Sequence, residues 1–315
     1  MIGQDGDVIM KTRIQRKWFN SDKVFDVVNI LIMVVLMFIM LYPLYFVVIA
    51  SFSEPIHVAT GKVLLWPKGF SIESYKEAFG EKSIWNGYKN SLIYVLLGTL
   101  FNLALTMPAA YVLSKKRIPF RGAMSTYFVI TMFFGGGLLP YYLLVRDIGL
   151  VNKPYTLILL GGLSVYNMII ARTYYSTAIP ESLYEAAEID GCSEFRKFLT
   201  IALPLSKSIL AVTALRYAVG RWNDFFTALI FINKEKYYPL QTVLRNLLME
   251  GVIRLQQTDT SELSMEELQY YISRTYLMES MKYSVILIGA LPMLIAYPFV
   301  QKHFVKGMMM GSLKG

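Results

Sequence analysis

Apolar residues in this chain gather in long uninterrupted blocks. Five blocks contain no Asp, Glu, Lys or Arg: Val27 to Ser53, Asn90 to Ser114, Gly122 to Val145, Pro154 to Ala171 and Tyr283 to Gln301. A helix of roughly 20 apolar residues crosses ~30 Å of hydrocarbon, so each block predicts a membrane span. A sixth block, Ser208 to Asn233, is long enough but holds Arg216, Arg221 and Asp224. Each charge costs roughly 2.5 to 3.5 kcal/mol at a helix centre, and the block is still read as a span.

Six spans put both termini on one side. The short link Lys115-Lys116-Arg117-Ile118-Pro119-Phe120-Arg121 holds four cations and no acid, which places it in the cytoplasm by the positive-inside rule. Parity then puts the amino-terminal segment 1–26, the segment of about 172–207 and the tail 302–315 inside, and the segment of about 234–282 outside. The expectation is an all-α membrane protein with a six-span domain over 27–301 and both termini cytoplasmic. Basic residues before the first block resemble a secretory signal, but the block is about twice the usual 7 to 15 residues. It is read as an uncleaved span.

Composition agrees with this picture and removes alternatives. Hydrophobic residues make up 55% and charged residues 17%, against roughly 25% charged in soluble domains. The net charge of +9 does not point to nucleic acid, because the cations lie between apolar runs instead of on one soluble face. A lone cysteine, Cys192, forms no intramolecular disulfide.

The cytoplasmic segment reads as a helical hairpin. Pro180 stands near a first turn, Glu181, Glu185, Glu188 and Asp190 follow it, and Gly191 supplies a left-handed stop. Ser193 then caps a second helix through Phe195, Phe198, Leu199 and Ile201, which Pro204 ends or kinks. Small Ala186 and Ala187 admit close approach by another surface, and Leu183, Tyr184 and Ile189 offer apolar contacts. An amphipathic hairpin lying on the membrane fits the same residues.

Glu185-Ala186-Ala187, three residues, Gly191, nine residues, then Ile201-Ala202-Leu203-Pro204 is similar to the EAA loop of ABC importer permeases in every type and spacing. Softer likenesses to the carbohydrate branch, which contains the maltose and oligosaccharide systems, lie in three places. They are Arg221-Trp222-Asn223-Asp224-Phe225-Phe226, the run Phe133 to Pro140 with Gly135, Gly136 and Gly137, and the tail Phe304 to Gly315. The resemblance implies a type I importer permease in a bacterial plasma membrane, whose coupling helix over Leu183, Tyr184, Glu185, Ala186, Ala187, Ile189, Asp190 and Gly191 seats in an ATPase groove. It implies as partners a second homologous permease, two cytoplasmic ABC ATPases holding ATP and Mg, an extracytoplasmic solute-binding protein, membrane lipid and a sugar or oligosaccharide. A non-sugar solute such as a peptide or polyamine, and a stand-alone secondary transporter, are the alternatives.

Arg221 and Asp224 stand three residues apart. They predict an intramembrane ion pair, with direct solute contact as the other reading. Sugars are held by aromatic faces, amides and hydroxyls, which Tyr94, Asn102, Tyr166, Asn167, Trp222 and Asn223 supply. Interfacial belts and interhelical glue explain the same residues. Gly135 to Gly137 before Pro140 predicts a hinge, an unwound segment or a close helix contact. Outside, Pro239 to Ile253 and Met265 to Arg274 predict two helices.

No phosphate-binding Gly-x-x-x-x-Gly-Lys-Ser/Thr loop occurs, and His57, His303 and Cys192 offer no metal spacing. No catalytic residue, no metal site and no cofactor of its own is expected in this chain.

Overall fold

In the computed structural model the apolar blocks are helical, and glycine, proline and short polar stretches decide where each helix stops. The structure describes the backbone of residues 5–257 and 264–312, and side chains over 23–249 and 264–298. The first helices are α1 (Asp5–Ser51), α2 (Pro55–Ala59), α3 (Glu73–Gly80), α4 (Lys82–Ser114), α5 (Arg121–Phe133), α6 (Leu138–Asp147), α7 (Thr156–Leu159) and α8 (Val165–Thr177). Then come α9 (Glu181–Ile189), α10 (Glu194–Lys197), a π-helical turn Phe198–Ala202, α11 (Leu203–Leu205), α12 (Lys207–Asn223), α13 (Phe226–Phe231), α14 (Leu240–Gln257) and α15 (Met265–Ser312). No strand occurs among the described residues, only an isolated antiparallel bridge between Ser53 and Phe70.

Among the described residues three helices are long and apolar enough to cross a membrane: Lys23–Ser51, Lys82–Ser114 and Met265–Pro298. Two bent pairs raise the number to five if each counts as one span. Helices α5 and α6 meet at 111°, and Glu194–Leu205 meets α12 at 84°. The first break falls at Gly135 to Gly137, where Gly137 takes φ +85°, a value that suits glycine alone. A Cβ at Gly135 or Gly136 would meet nothing within 4 Å. The glycines therefore break a helix and make no close packing contact within this chain. The block Pro154 to Ala171 is likewise divided, between α7 and α8, and the 13 residues of α8 rise only about 20 Å.

The chain forms two compact units. In the first, residues 1–74 and 270–284, the carboxyl end of α1 folds over the loop that follows it. Ile49, Ala50, Val58 and Val63 form a small core with Phe46 and Tyr283 against it. Tyr42 and Tyr45 donate their hydroxyls to the carbonyls of Leu64 and Leu65. The buried hydroxyls of Ser74 and Ser280 meet at 2.9 Å.

The second unit, residues 75–269 and 285–315, is built around α4, which packs on α8, α12 and α14. Thr106 of α4 and the backbone of Ser164 before α8 both bond the Tyr217 hydroxyl of α12, at 2.6 and 3.0 Å. Pro292 of α15 has no amide hydrogen, so the Ile288 carbonyl four residues earlier loses its helical donor. The Tyr88 hydroxyl of α4 donates to that carbonyl at 2.6 Å, and Trp222 Nε1 donates to Gly289 O at 2.8 Å. Membrane helices tolerate proline where a neighbour makes good the lost bond in this way.

Two sequence expectations change. The stretch Met265 to Arg274 is the beginning of α15, continuous through the apolar block Tyr283 to Gln301, because a helix does not stop where its residues turn polar. Pro204 lies inside α11, and the chain turns at Ser206, where φ is −100° and ψ 22°.

Candidate functional site

The hairpin at 180–206 is shaped by local chemistry. Helix α9 starts after Pro180, whose φ of −59° suits the residue. It ends in a Schellman closure: Gly191 N donates to Glu188 O at 3.0 Å and Cys192 N to Ala187 O at 2.9 Å, with Gly191 at φ +73°. The Ser193 hydroxyl accepts from Arg196 N and opens α10. The spacing of the EAA motif is thus the spacing needed to stop one helix and start the next.

Two faces of α9 diverge. Tyr184 is buried in the cluster that also holds Met107, Ala110, Tyr111, Tyr175 and Phe198, and Ala187 is buried too, so neither presents a surface to a partner. Leu183, Ala186 and Ile189, three residues apart, face outward together with Glu185. Ile189 is 88% exposed and Phe195 of α10 71%, two apolar side chains that none of the described residues covers. Asp190 is the helix cap and is exposed.

The end of α4 braces the hairpin. Tyr111 donates its hydroxyl to Glu194 Oε2 at 3.0 Å and packs on the rings of Tyr175, Tyr184 and Phe198. Lys115 places its ammonium over the Tyr184 ring, 3.0 Å from the centroid. Lys197, with a side chain only 3% exposed, bridges Glu194 at 2.9 Å and Glu188 at 3.4 Å. Arg117 reaches Glu188 at 3.5 Å. The hydrogen bond from Lys197 holds the Glu194 carboxyl below its usual range. The same bond raises Lys197, and burial lowers Lys115. Burial also pushes the Tyr184 phenol up to about 12. Its hydroxyl has no hydrogen-bond partner.

The residues proposed to line a solute path separate into two groups. Asn102 is fully buried: its Nδ2 donates to Gly161 O and Gly162 O, both at 2.7 Å, and its Oδ1 accepts from Arg221. Trp222 is buried against Gly289. Tyr94 is buried and bonds Tyr237 O, and Asn167 is buried with its Oδ1 accepting from Arg216 Nε at 2.8 Å. Tyr166 and Asn223 are exposed.

The expected Arg221–Asp224 ion pair is not formed. Arg221 spends its guanidinium on Asn102 Oδ1 and on the carbonyls of Leu157 and Ile158, at 2.6 and 3.0 Å. Asp224 accepts instead from Thr227 N at 3.0 Å. Helix α12 ends at Asn223, so the three-residue spacing no longer places both side chains on one helical face. Sequence reasoning missed Tyr111, Lys115 and Lys197. Their charge and ring partners lie up to 83 positions away (Tyr111 to Glu194), and only the basic run after Ser114 pointed to that corner.

Broken apolar helices, a braced hairpin with an exposed apolar edge, and a half-buried arginine held by neutral oxygens describe a helical membrane protein. The model of the binding-protein-dependent transport system inner membrane component matches residues 82–310. The chain belongs to that family. Protein LplC of Bacillus subtilis (strain 168) is 37% identical over 295 residues, covering 94% of this chain and 96% of that protein. The polygalacturonan/rhamnogalacturonan transport system permease protein YtcP of the same organism is 33% identical, covering 94% and 100%. Among solved structures, a chain of a bacterial ABC transporter involved in the import of the acidic polysaccharide alginate superposes with TM-score 0.78 at 29% identity, covering 90% of this chain and 98% of that one.

Proposed function

We propose that this chain is the translocation subunit of an ATP-driven, binding-protein-dependent importer of oligosaccharides. The observation that carries the reading is the hairpin: Leu183, Ala186 and Ile189 stand uncovered on a helix whose other face is welded to the core of the spans. The saccharide class draws support from relatives described as permeases for polygalacturonan and rhamnogalacturonan, galactooligosaccharides and maltodextrin.

Six crossings make up the membrane domain over 27–301, with α5–α6 and α7–α8 each counted as one broken crossing. Both termini and the hairpin of about 172–207 lie in the cytoplasm, and the segment of about 234–282 outside, as the basic link Lys115 to Arg121 requires. Two ATPases supply the work and hold ATP and Mg; a second permease completes the path, and a binding protein delivers solute. When the ATPases close they move α9 through Leu183, Ala186 and Ile189. The motion passes through Tyr184, Tyr111 and the Glu194–Lys197 bridge into α4, and through the π turn into α12, so the spans rock as bodies. This chain changes access and makes or breaks no bond in its cargo.

The experiment is gentle extraction of the tagged chain from its native membrane. An ATPase, a second permease and a binding protein at stoichiometric levels are expected, with ATP-driven uptake after reconstitution. Recovery of this chain alone, under detergents that preserve comparable complexes, favours a solitary transporter.

A further inference from the structure

The two arginines of α12 have different fates. Arg221 turns inward, where Asn102 and two carbonyls take its N–H groups. Arg216 is exposed. Its Nε donates to Asn167, and its guanidinium carbon lies 4.7 Å from the centre of the Tyr166 ring. Neither partner is charged, and both terminal amino groups keep donors to spare. A cation kept within an apolar block at this cost marks a functional position by default.

Arg216, Gly220 and Asn223 recur at helical spacing, so they share one face of α12, and all three are exposed. A Cβ at Gly220 would meet nothing within 4 Å. Packing within this chain does not require glycine there, and the face stays open. Seven residues carry it about 10 Å along the axis. At its end Asn223 enters a cavity of about 480 Å³ walled by α14 and α15, a volume within the range of small-ligand sites. Phe225, Gln241 and Arg245 stand on the wall, and no carboxylate lines it among the described residues. Arg245 repeats the situation of Arg216: its guanidinium donates to the amide oxygen of Asn246 at 3.3 Å, and it has no acidic partner within 4 Å among the described residues.

We propose that this face and cavity form a contact surface for an acidic saccharide, with Arg216 and Arg245 pairing to carboxylates of uronate-type units. The proposal rests on the saccharide-importer reading above. Amides and an aromatic face such as Phe225 are enough for the hydroxyls and apolar side of a neutral sugar. Guanidiniums with unused forks match carboxylates, which they bind through two parallel hydrogen bonds. A neutral chain passing here would strip water from both cations and return no charge to them.

The test uses the assembled complex of both permeases, the ATPases and the binding protein in liposomes loaded with ATP, offered trigalacturonate or maltotriose. ATP-driven uptake of trigalacturonate is expected, with R216Q and R245Q each reducing it about tenfold or more, the scale of losing a charge-assisted hydrogen bond. R245K keeps the charge but loses the two-pronged fit, and its uptake is expected to fall between those of the wild type and R245Q. Uptake of maltotriose but not of trigalacturonate overturns the acidic class and leaves the importer reading intact. Full trigalacturonate uptake in both glutamine variants overturns the site. Loss of the second permease from either purified variant makes these arginines assembly contacts and overturns the site as well. No ATP-driven uptake of either saccharide by a complex with every subunit present removes the importer reading and the proposal with it.

Discussion

The hydroxyl of Tyr111, in the last turn of α4, donates to Glu194 at the start of α10 across 3.0 Å. One residue of a membrane helix is thereby tied to a hairpin 83 positions further on. Tyr184, in α9 of the same hairpin, presents the opposite case: its ring is buried beside Tyr111 but its hydroxyl has no partner among the described residues.

The two tyrosines predict opposite signs. Tyr111→Phe leaves the Glu194 oxygen without its donor and is expected to destabilise the purified complex by about 1 kcal/mol. Tyr184→Phe removes an unpaired buried hydroxyl and is expected to leave stability unchanged or raise it. Thermal unfolding of both variants in one detergent checks the pair, and a matching loss in both would show that ring packing alone matters.

Gly191 predicts a graded series. Its Cβ position is open, so the cost of substitution comes from the left-handed backbone, about 1 to 2 kcal/mol for an ordinary residue and less for asparagine. Gly191→Asn is expected to keep solute-stimulated ATP hydrolysis. Gly191→Leu is expected to abolish it while the protein still inserts, and unchanged transport in that variant counts against the hairpin as the coupling element.

The Glu188–Lys197–Glu194 cluster sets a pH window. Glu194 is lowered by its bond to Lys197, so its contribution is present above the ordinary glutamate value and is lost as pH falls through the lowered one. Lys197 is raised, so its contribution is present below the ordinary lysine value and is lost as pH rises through the raised one. Amide protection over 181–205, taken relative to the intrinsic exchange rate at each pH, is expected to stay flat from about pH 6 to pH 9, between the two ordinary values, and to fall on acidification below the glutamate range. Lys197→Met is expected to quicken exchange throughout the window; a pH-independent profile equal to wild type would remove the cluster from the argument.

Ile189 separates folding from assembly. It is an exposed side chain, and surface changes usually stay within about 0.5 kcal/mol. Ile189→Glu is expected to leave the thermal stability of the isolated chain unaltered and to prevent recovery of the ATPase on purification. Retention of the ATPase would move the docking face elsewhere.

Tyr88 tests how proline is accommodated in α15. Tyr88→Phe leaves the Ile288 carbonyl buried without a donor, at a cost of about 1 to 3 kcal/mol. Adding Pro292→Ala restores the helical N–H, so the double variant is expected to recover most of the loss.

What the sequence made legible was local. The stop at Gly191, the cap at Ser193 and the three unbroken apolar helices each depend on neighbours within a turn or two, and each lies where the pattern put it. The Arg221–Asp224 pairing failed because it presumed one unbroken helix, and neither glycine nor proline warns that α12 ends at Asn223. Asn102 looked like a polar residue for solute, yet its partners are Gly161, Gly162 and Arg221, more than 50 positions away. A continuous α15 was hidden because the polar stretch with Glu266, Glu267 and Arg274 read as a separate helix outside the membrane, while a helix needs no apolar residues to go on.

A π-helical turn carries its hydrogen bonds one residue further than an α-helix does. The turn at Phe198–Ala202 therefore inserts an angular offset of about 100°, one residue's rotation, between α10 and α12. Removing a single residue there would keep the composition and hydrophobicity of the stretch. It would nonetheless swing Phe195 and the edge of α9 to a different azimuth about the axis of Glu194–Leu205, the short helix that meets α12 at 84°. The compass bearing of the exposed edge of α9 is thus written as a one-residue count, in a place where a sequence alignment would record only a small gap.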